Sequence, residues 1–420
     1  MIHVVNNNSG VFNIYVFVNA GGIYEPDGKL GISHMLEHML FKRSKHMTNE
    51  QLLKRLTRIG GSFNAATDKD VTFYYIKTNT DNANDCIELM KEILVSPNFT
   101  EKNLDSERKV VIEELNKGLD NDERLLWQMS YMSTLDENNA YMNKVIGTVK
   151  TLKAITTKDL YAYYNSYYSS YSIIVDCEKN IEKEVRKRLN DAFKTKITSA
   201  PRTRPYFNEE LDRKVIVMNI NLNQYTLSLS FPIVIDTFSV KEYIVLEFIS
   251  FMLSGAGLYS LLMYELREKR SLVYTVGAYN DCMKYLSLFK INIATTQQDT
   301  VHIINVVLKT INNLKTGSVV TEKLKFFKKS FESAMRLNLS NADYKCFLLG
   351  TIMFNSDNKV MINETDMMKV VKSITVNDIA KCCNKVFDTD KLGVVAVGKY
   401  ENPQTQANNI LESLKNWQNK

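Results

Sequence analysis

The chain has 420 residues, of which 45% are apolar and 24% are charged, and its formal net charge is +6. This length is too great for one ordinary hydrophobic core and predicts two domains of about 200 residues each. Basic residues are interleaved with acidic ones, which argues against a nucleic-acid-binding surface. No stretch approaches the run of about 18 uncharged apolar residues that a membrane-spanning helix needs.

The cysteines and the N-terminus bear on the compartment in which the protein acts. The six cysteines form no Cys-x-x-Cys pair and no disulfide framework, so we expect free thiols in a reducing compartment. The first residues resemble neither a signal peptide nor an arginine-rich presequence. Together these features predict a cytoplasmic protein.

The first elements of the chain are predicted from apolar runs and turn residues. Residues 11–20 form an apolar, β-rich run that predicts a buried strand, and the glycines and proline of residues 21–28 predict a loop. A buried helix follows, with Ser33 as its candidate N-cap. A Thr-x-x-Gln capping box beginning at Thr48 predicts a second helix, which ends at Gly60.

The segment HMLEH at residues 34–38 is the pattern around which we interpret the chain. On a helix, His34 and His38 lie one turn apart on one face, and Glu37 lies on the same side. Two imidazoles suit zinc, and Glu37 is then positioned to take a proton from water as a general base. The chain has only five histidines, and two are here. The pattern alone also fits an amphipathic helix without a metal, so the third ligand and the flanking residues must decide.

A later helix offers candidates for that third ligand. Two strands between residues 62 and 76 and a helix over residues 82–95 precede a helix predicted over residues 100–116. This last helix carries Glu107 and Glu114 on one stripe with two valines. A glutamate on a helix is usually solvated, but its position among valines predicts a buried, ligating carboxylate at Glu114.

Two short matches indicate that the chain repeats itself. Residues 100–102 recur as residues 321–323, and residues 155–160 resemble residues 374–379, at offsets of 221 and 219. Each of the latter segments leads through a predicted helix into an apolar strand. The two nearly equal offsets predict two copies of one domain that contains both helices and strands.

The repeat and one polar segment define the predicted domain boundaries. The first domain covers residues 1–200, a linker covers residues 201–212, and the second domain covers residues 213–420. The counterpart of the histidine-bearing helix spans about residues 241–253 and contains no histidine. We therefore expect no metal site in the second domain.

Six short motifs spread over the chain are more informative together than any of them is alone. They are AGGIYEP (20–26), GISHMLEHMLF (31–41), GGSFNAAT (60–67), ERKVVIEE (107–114), LSGAGLYS (253–260) and LREKRSLVY (266–274). Together they resemble the pitrilysin/insulinase family of zinc metallopeptidases, in its mitochondrial-processing-peptidase-like branch. The resemblance covers nearly the whole chain and implies an α+β fold of two similar domains. Each domain would be a mostly antiparallel β-sheet with helices packed on it.

The resemblance also implies the roles of residues at a zinc site. His34 and His38 would bind one zinc ion per chain, and Glu37 would be the base that activates water. Glu114 would be the third ligand, and Glu113 is the near alternative. We prefer Glu114 because it lies two helical turns after another acidic residue of the motif.

Further roles follow from the same resemblance. Glu107 would lie behind the ligands and orient a histidine. Arg267 and Tyr274 would act on the substrate carbonyl and the developing oxyanion. Asn64 and Ala65 match the edge strand on which substrates of the family bind as an added strand.

From these residues we predict a zinc-dependent metalloendopeptidase that cleaves unstructured peptides or presequence-like segments inside a closed chamber. In this branch a chamber needs two chains, so we expect a homodimer or a heterodimer with a related chain. The alternative is a non-catalytic scaffold, or a partner-dependent subunit of a related heterodimer. The enzyme is favoured because every expected ligand and the base are present.

Overall fold

A computed structural model of the chain describes residues 1–118, 122–194, 214–220, 224–234, 239–296, 298–318, 321–357 and 359–418. The strands are β1 (Ile2–Asn7), β2 (Val11–Val18), β3 (Ser62–Thr67), β4 (Thr72–Asn79), β5 (Tyr171–Glu178), β6 (Val215–Asn219), β7 (Tyr225–Val234), β8 (Thr275–Asp281), β9 (Leu286–Thr295) and β10 (Gly393–Gly398). The α-helices are α1 (Ile32–Leu40), α2 (Asn49–Arg58), α3 (Ala83–Val95), α4 (Glu101–Gly118), α5 (Asp122–Met132), α6 (Val149–Ala154), α7 (Thr157–Tyr167), α8 (Glu182–Phe193), α9 (Val240–Ser250), α10 (Thr300–Lys315), α11 (Thr321–Leu339), α12 (Ala342–Asn355), α13 (Glu364–Ser373), α14 (Val376–Val386) and α15 (Pro403–Gln418). Two π-helical segments are Phe251–Gly255 and Met263–Glu268.

Several predicted elements are confirmed with small shifts at their ends. The strand predicted over residues 11–20 is β2, and the helices predicted over residues 82–95 and 100–116 are α3 and α4. Helix α2 begins at the capping box of Thr48. No helix within the described ranges combines the length and the apolar character that crossing a lipid bilayer requires.

The first sheet has the strand order β1-β5-β2-β4-β3. The β1–β5 pair is parallel, and the other three pairs are antiparallel. Strand β2 lies in the middle, where its register pairs Ile14 with Ile76 on one side and with Val175 on the other. A continuous apolar run suits this position because both faces of a central strand are covered. Strand β3 lies at one edge of the sheet.

The second sheet repeats this topology strand for strand, with the order β6-β10-β7-β9-β8 and a parallel pair between β6 and β10. The helices before the last strand of each copy also correspond. Helix α7 begins with a capping box between Thr156 and Asp159, and helix α14 with one between Thr375 and Asp378. The predicted α+β fold of two similar domains, each with a mostly antiparallel sheet and packed helices, is confirmed.

The contacts divide the described residues into two compact units. The first comprises those within Met1–Asn121, Asn143–Phe207 and Asn338–Asn363; the second comprises those within Asp122–Met142, Asn208–Leu337 and Glu364–Lys420. Each half of the chain therefore contributes one segment to the other unit. The predicted domains, residues 1–200 and 213–420, did not include this crossing of segments between the units, and they stay a prediction. The linker predicted over residues 201–212 lies outside the described residues.

Helix α12 is the exchanged element of the first unit and covers one face of its sheet, against β2 and β5. The approach is close: a Cβ on Gly350 would lie 2.3 Å from the ring of Phe17. An ion pair also joins the helix to the sheet, with Lys345 Nζ 2.7 Å from Asp176 Oδ2. Both charged side chains are largely buried, so each depends on the other for its charge balance.

Replacing Lys345 with Met should destabilise the first unit by about 3–5 kcal/mol, because Asp176 is left as a buried unpaired charge. Urea unfolding would measure the loss. The double variant Lys345→Met, Asp176→Asn should recover most of it. As a matched control, Lys369→Met removes an exposed ion pair with Asp366 and should change stability by less than about 0.5 kcal/mol. Equal losses in the two single variants would contradict the importance of the buried pair.

The other face of the first sheet packs against helices that include α1. Met35, Leu36, Met39 and Leu40 are fully buried in this core. These apolar side chains determine how α1 is rotated about its axis. As a result, the side of α1 that carries His34 is turned toward α4.

Candidate metal centre

Helix α1 begins at a backbone turn that favours glycine. Gly31, immediately before the helix, has a φ of +92°, and a Cβ there would lie 2.7 Å from the carbonyl oxygen of Ile146. The positive φ and the close approach both disfavour any other residue at this position. The turn thus sets the direction in which the histidine-bearing helix leaves the preceding loop.

The carboxylate of Glu25 binds the N-terminus of α1. It accepts hydrogen bonds from the N–H groups of Gly31 at 2.7 Å and of Ser33 at 2.9 Å. A helix start leaves such donors without internal partners and favours a negative charge beside them. Burial raises the pKa of Glu25 to about 7, although these two hydrogen bonds lower it.

The prediction that Ser33 caps α1 is wrong. The helix begins at Ile32, so Ser33 lies inside its first turn, and the N-cap position is occupied by Gly31, which has no side chain to cap the helix. Ser33 is buried, and its hydroxyl hydrogen-bonds to the hydroxyl of Tyr163 at 2.7 Å. The carboxylate of Glu25, which lies further away in the sequence, accepts the hydrogen bonds of the free N–H groups at the helix start instead.

Two histidines and one glutamate meet between α1 and α4. The rings of His34 and His38 meet edge to face, with their centroids 4.7 Å apart and their planes at 72° to each other. Opposite them, Glu114 Oε2 lies 3.8 Å from Nε2 of His34 and 3.6 Å from Nε2 of His38. In the part of the chain that the structure describes, these three form a group whose candidate ligand atoms all lie within 4.8 Å of one another. Glu113 does not belong to that group.

The environment of Glu114 differs from the prediction in one respect. Its side chain is 48% exposed, so the expectation of a buried carboxylate is wrong. The neighbouring Val110 on the same stripe is exposed as well, whereas Val111 is fully buried. This stripe of α4 therefore lies at the boundary between the core and solvent, and Glu114 reaches the histidines from the open side.

Glu107 lies behind the histidines on the same helix as Glu114. Its Oε2 lies 3.2 Å from Nδ1 of His38, its Oε1 lies 2.7 Å from Nζ of Lys42, and its side chain is only 3% exposed. Burial alone would raise the pKa of Glu107, but the hydrogen bonds from His38 and Lys42 outweigh it and lower the pKa. In the neutral tautomer that carries its proton on Nδ1, His38 donates to Glu107, and Nε2, which faces Glu114, is then the nitrogen that can bind a metal.

Glu37 lies next to this group without being part of it. It is buried, and its Oε2 accepts a hydrogen bond from the hydroxyl of Thr67 at 2.6 Å. Burial raises the pKa of Glu37, against the opposing effects of Thr67 and His38. A carboxylate whose pKa is raised above its usual range is a better proton acceptor near neutral pH.

The three grouped side chains fit a zinc ion by their chemistry and by their spacing. Two imidazole nitrogens and one carboxylate oxygen form a donor set of catalytic zinc sites, which keep a fourth position open. Tetrahedral bonds of about 2.0–2.2 Å put ligand atoms roughly 3.3–3.6 Å apart. The two separations from Glu114, 3.6 and 3.8 Å, are close to that spacing, and all the candidate ligand atoms lie within 4.8 Å of one another, so side-chain movements alone would bring the three onto one ion.

The candidate substrate-binding residues Asn64 and Ala65 lie on β3, which pairs with β4 and is the last strand of the first sheet. Within the described residues, no strand pairs with its outer edge. The Oδ1 of Asn64 accepts a hydrogen bond from the N–H of Ala65 at 3.0 Å. Because Thr67 at the end of β3 contacts Glu37, this strand runs beside the candidate metal centre.

Arg267 and Tyr274 lie in the second unit. The Cζ atom of Arg267 is 5.8 Å from the ring centroid of Tyr274, and the tyrosine is 73% exposed. Arg267 belongs to the π-helical segment Met263–Glu268 and is partly exposed. The two predicted residues are therefore neighbours on the second unit, and both can be reached from solvent.

Three side chains of the site were not predicted. Glu25, Lys42 and Thr67 contact α1, Glu107 and Glu37, respectively. Glu25 and Thr67 lie inside motifs of the sequence, but no local pattern indicates which groups they contact. Their roles depend on how loops and strands fold back onto α1.

Comparison with protein families gives two matches that together span most of the chain. Residues 2–149 match the description Insulinase (Peptidase family M16), and residues 154–329 match Peptidase M16 inactive domain. The first match contains the candidate metal centre. The second contains Arg267 and Tyr274.

Comparison with individual proteins and solved structures gives relatives of the same kind. An uncharacterized zinc protease of Rickettsia felis is 26% identical over 386 residues, which cover 90% of each chain. The mitochondrial-processing peptidase subunit beta of Caenorhabditis elegans is 24% identical over 188 residues, covering 45% of this chain and 41% of that protein. The solved structure of a protease from Helicobacter pylori has the same fold, with a TM-score of 0.81, 23% identity, and coverage of 94% of this chain and 96% of that chain. The chain belongs to the insulinase family of peptidases, family M16.

Proposed function

We propose that this protein is a zinc metalloendopeptidase. The observation that carries the proposal is the convergence of His34, His38 and Glu114 on one point, with the buried carboxylate of Glu37 beside them. The donor set suits zinc, and relatives of the chain are named zinc proteases. In this proposal the three side chains bind one zinc ion per chain.

Hydrolysis of a peptide bond at such a site requires a Lewis acid, a base and a means of stabilising the charge that develops on the carbonyl oxygen. His34, His38 and Glu114 would hold the zinc ion, which when bound would supply a Lewis acid for the attacking water and the peptide carbonyl. Glu37 takes the proton that the attacking water loses and delivers it to the leaving amine. The hydrogen bond from Thr67 holds the carboxylate of Glu37 in one orientation for both transfers.

The proposed substrates are unstructured peptides or presequence-like segments. The outer edge of β3, with which no described strand pairs, can accept an extended peptide at Asn64 and Ala65 as an added strand, and Thr67 links this edge to Glu37. An unstructured peptide can adopt the extended conformation that such pairing requires. For this reaction we assign Arg267 and Tyr274 as donors to the substrate carbonyl oxygen.

The proposed assembly is a closed chamber made by two chains, either a homodimer or a heterodimer with a related chain. The test is size-exclusion chromatography of the purified chain with light scattering, in parallel with an activity assay. A dimer that cleaves peptides alone supports the homodimer. A monomer that cleaves only after a related chain is added supports the heterodimer.

The direct test of the proposed function is cleavage of a mixed pool of unstructured basic peptides, with and without a chelator. We expect cutting that a chelator abolishes and that added zinc restores, together with one zinc ion per chain by elemental analysis. The absence of both zinc and cutting would support a non-catalytic scaffold subunit instead. Zinc without cutting would indicate that the subunit depends on a partner.

Replacing Glu107 with Gln should weaken zinc binding by about 10–100-fold, because the amide no longer fixes the orientation and protonation of His38. Competition with a zinc-binding dye would measure the change. The matched control is Asp105→Asn on the same helix, since this exposed carboxylate pairs only with Arg108 among the described residues. Unchanged zinc affinity in the Glu107 variant would show that this carboxylate does not orient the ligand.

A further inference from the structure

A cavity of about 390 Å³ lies in the second unit, between helices α10 and α11 and the π-helical segment Met263–Glu268. Its floor is apolar, because Val306, Leu314 and Phe327 are buried there. Its volume lies within the range of about 300–1,000 Å³ that is usual for small-molecule sites. All residues that line it belong to the second unit, so it is separate from the candidate metal centre.

The rim of the cavity carries an excess of positive charge. Glu265 is the carboxylate among the described lining residues, and it already binds Lys269 at 2.7 Å and Arg270 at 2.6 Å. Lys309 on α10 and Lys323 on α11 also line the cavity, and neither forms an ion pair within the described part of the chain. Two ammonium groups are therefore available to an anion.

Aromatic rings form one wall of the cavity. The ring centroid of Tyr259 lies 5.8 Å from that of Tyr264 and 6.4 Å from that of Phe327. Tyr259 is half-exposed, so part of its ring is accessible to a ligand in the cavity. Such rings bind a compact apolar or aromatic group by burial and by stacking.

We propose that this cavity binds a carboxylate carried on a compact apolar or aromatic body. The carboxylate would lie between Lys309 and Lys323, and the apolar body would cover the floor beside Tyr259. Lys309 and Lys323 are exposed, so a neutral ligand would gain no charge attraction from them, and a bare inorganic anion would leave the apolar floor uncovered. Both the C-terminal residue of a peptide and a free aromatic acid have this chemistry. The inference does not rest on the proposed peptidase activity.

Isothermal titration calorimetry would test the proposal on the full chain. N-acetyl-phenylalanine should bind at least about tenfold more tightly than its neutral C-terminal amide, and added salt should weaken the binding. A short peptide ending in phenylalanine, compared with its amidated form, distinguishes the two sources. Tighter binding of the peptide assigns the cavity to peptide C-termini, and tighter binding of the free acid assigns it to small acids. A chelator should not alter either result, because the cavity is not the metal centre.

Charge-removing variants complete the test. Lys309→Met with Lys323→Met keeps the aliphatic stems and should weaken binding of the acid at least about tenfold. Lys325→Met is the matched control, because this exposed lysine lies on the same helix as Lys323 and does not line the cavity. The proposal fails if acid and amide bind equally, if the double variant binds like the parent protein, or if no heat is detected at about 10 mM ligand.

Discussion

The variant Glu37→Gln is expected to cleave peptides about a thousandfold more slowly than the parent protein while keeping one zinc ion per chain. Glu37 lies beside the three candidate ligands and is bound by Thr67 at 2.6 Å. Glutamine has the same size and can accept the same hydrogen bond, but it cannot take up a proton from water. The cleavage rate and the zinc content should be measured on one preparation.

The control for this variant is Glu50→Gln, in the exposed first turn of α2, which should change neither quantity. A Glu37 variant that kept zinc and more than about a tenth of the parent rate would contradict the assignment of the base. A variant that lost zinc together with activity would show that Glu37 is a ligand. The two readouts therefore separate the two roles.

Replacing Glu114 with Gln should weaken zinc binding by more than about a hundredfold, which exceeds the usual effect of a residue behind the ligands. The amide oxygen is neutral, so one of three protein ligands loses its charge. Glu114 Oε2 lies 3.6 Å from Nε2 of His38, as expected for two ligands of one ion. Zinc affinity should be measured by competition with a chelating dye, and peptide cleavage should fall in parallel.

The neighbouring Glu113 provides a closely matched control. It has the same side chain on the same exposed turn of α4, but it lies outside the group formed by His34, His38 and Glu114. Glu113→Gln should therefore bind zinc like the parent protein. If the two variants behaved in the opposite way, Glu113 would be the third ligand, which the sequence alone left as an alternative.

Much of the local structure could be predicted because short-range interactions decide it. The Thr48 capping box starts α2, and the apolar run at residues 11–20 forms the central strand β2. The two similar domains could be predicted from two short matches at nearly equal offsets, one of which contains the residues that form the capping boxes of Thr156 and Thr375 in the structure. Each of these features depends on residues within a few positions of one another.

The candidate metal centre could be predicted only in part. The spacing of His34 and His38 follows from one helical turn, but Glu114 lies on another helix, where its position among valines and then a family resemblance indicated it as the third ligand. The structure then brings its carboxylate to the histidines from the exposed side of α4, where a buried group had been expected. The prediction went wrong because a stripe of valines shows that a helix face is apolar and does not show how much of it is covered.

The sequence by itself determined the elements, the repeat of the domain and the residue types of the centre. Only the tertiary structure decided that α5 joins the second unit and α12 the first, and that Thr67 and Lys42 contact Glu37 and Glu107. The physical reason is the range of the interactions. Helical and strand periodicity reports which face of an element is buried, whereas the partner that covers it depends on contacts between residues far apart in the chain.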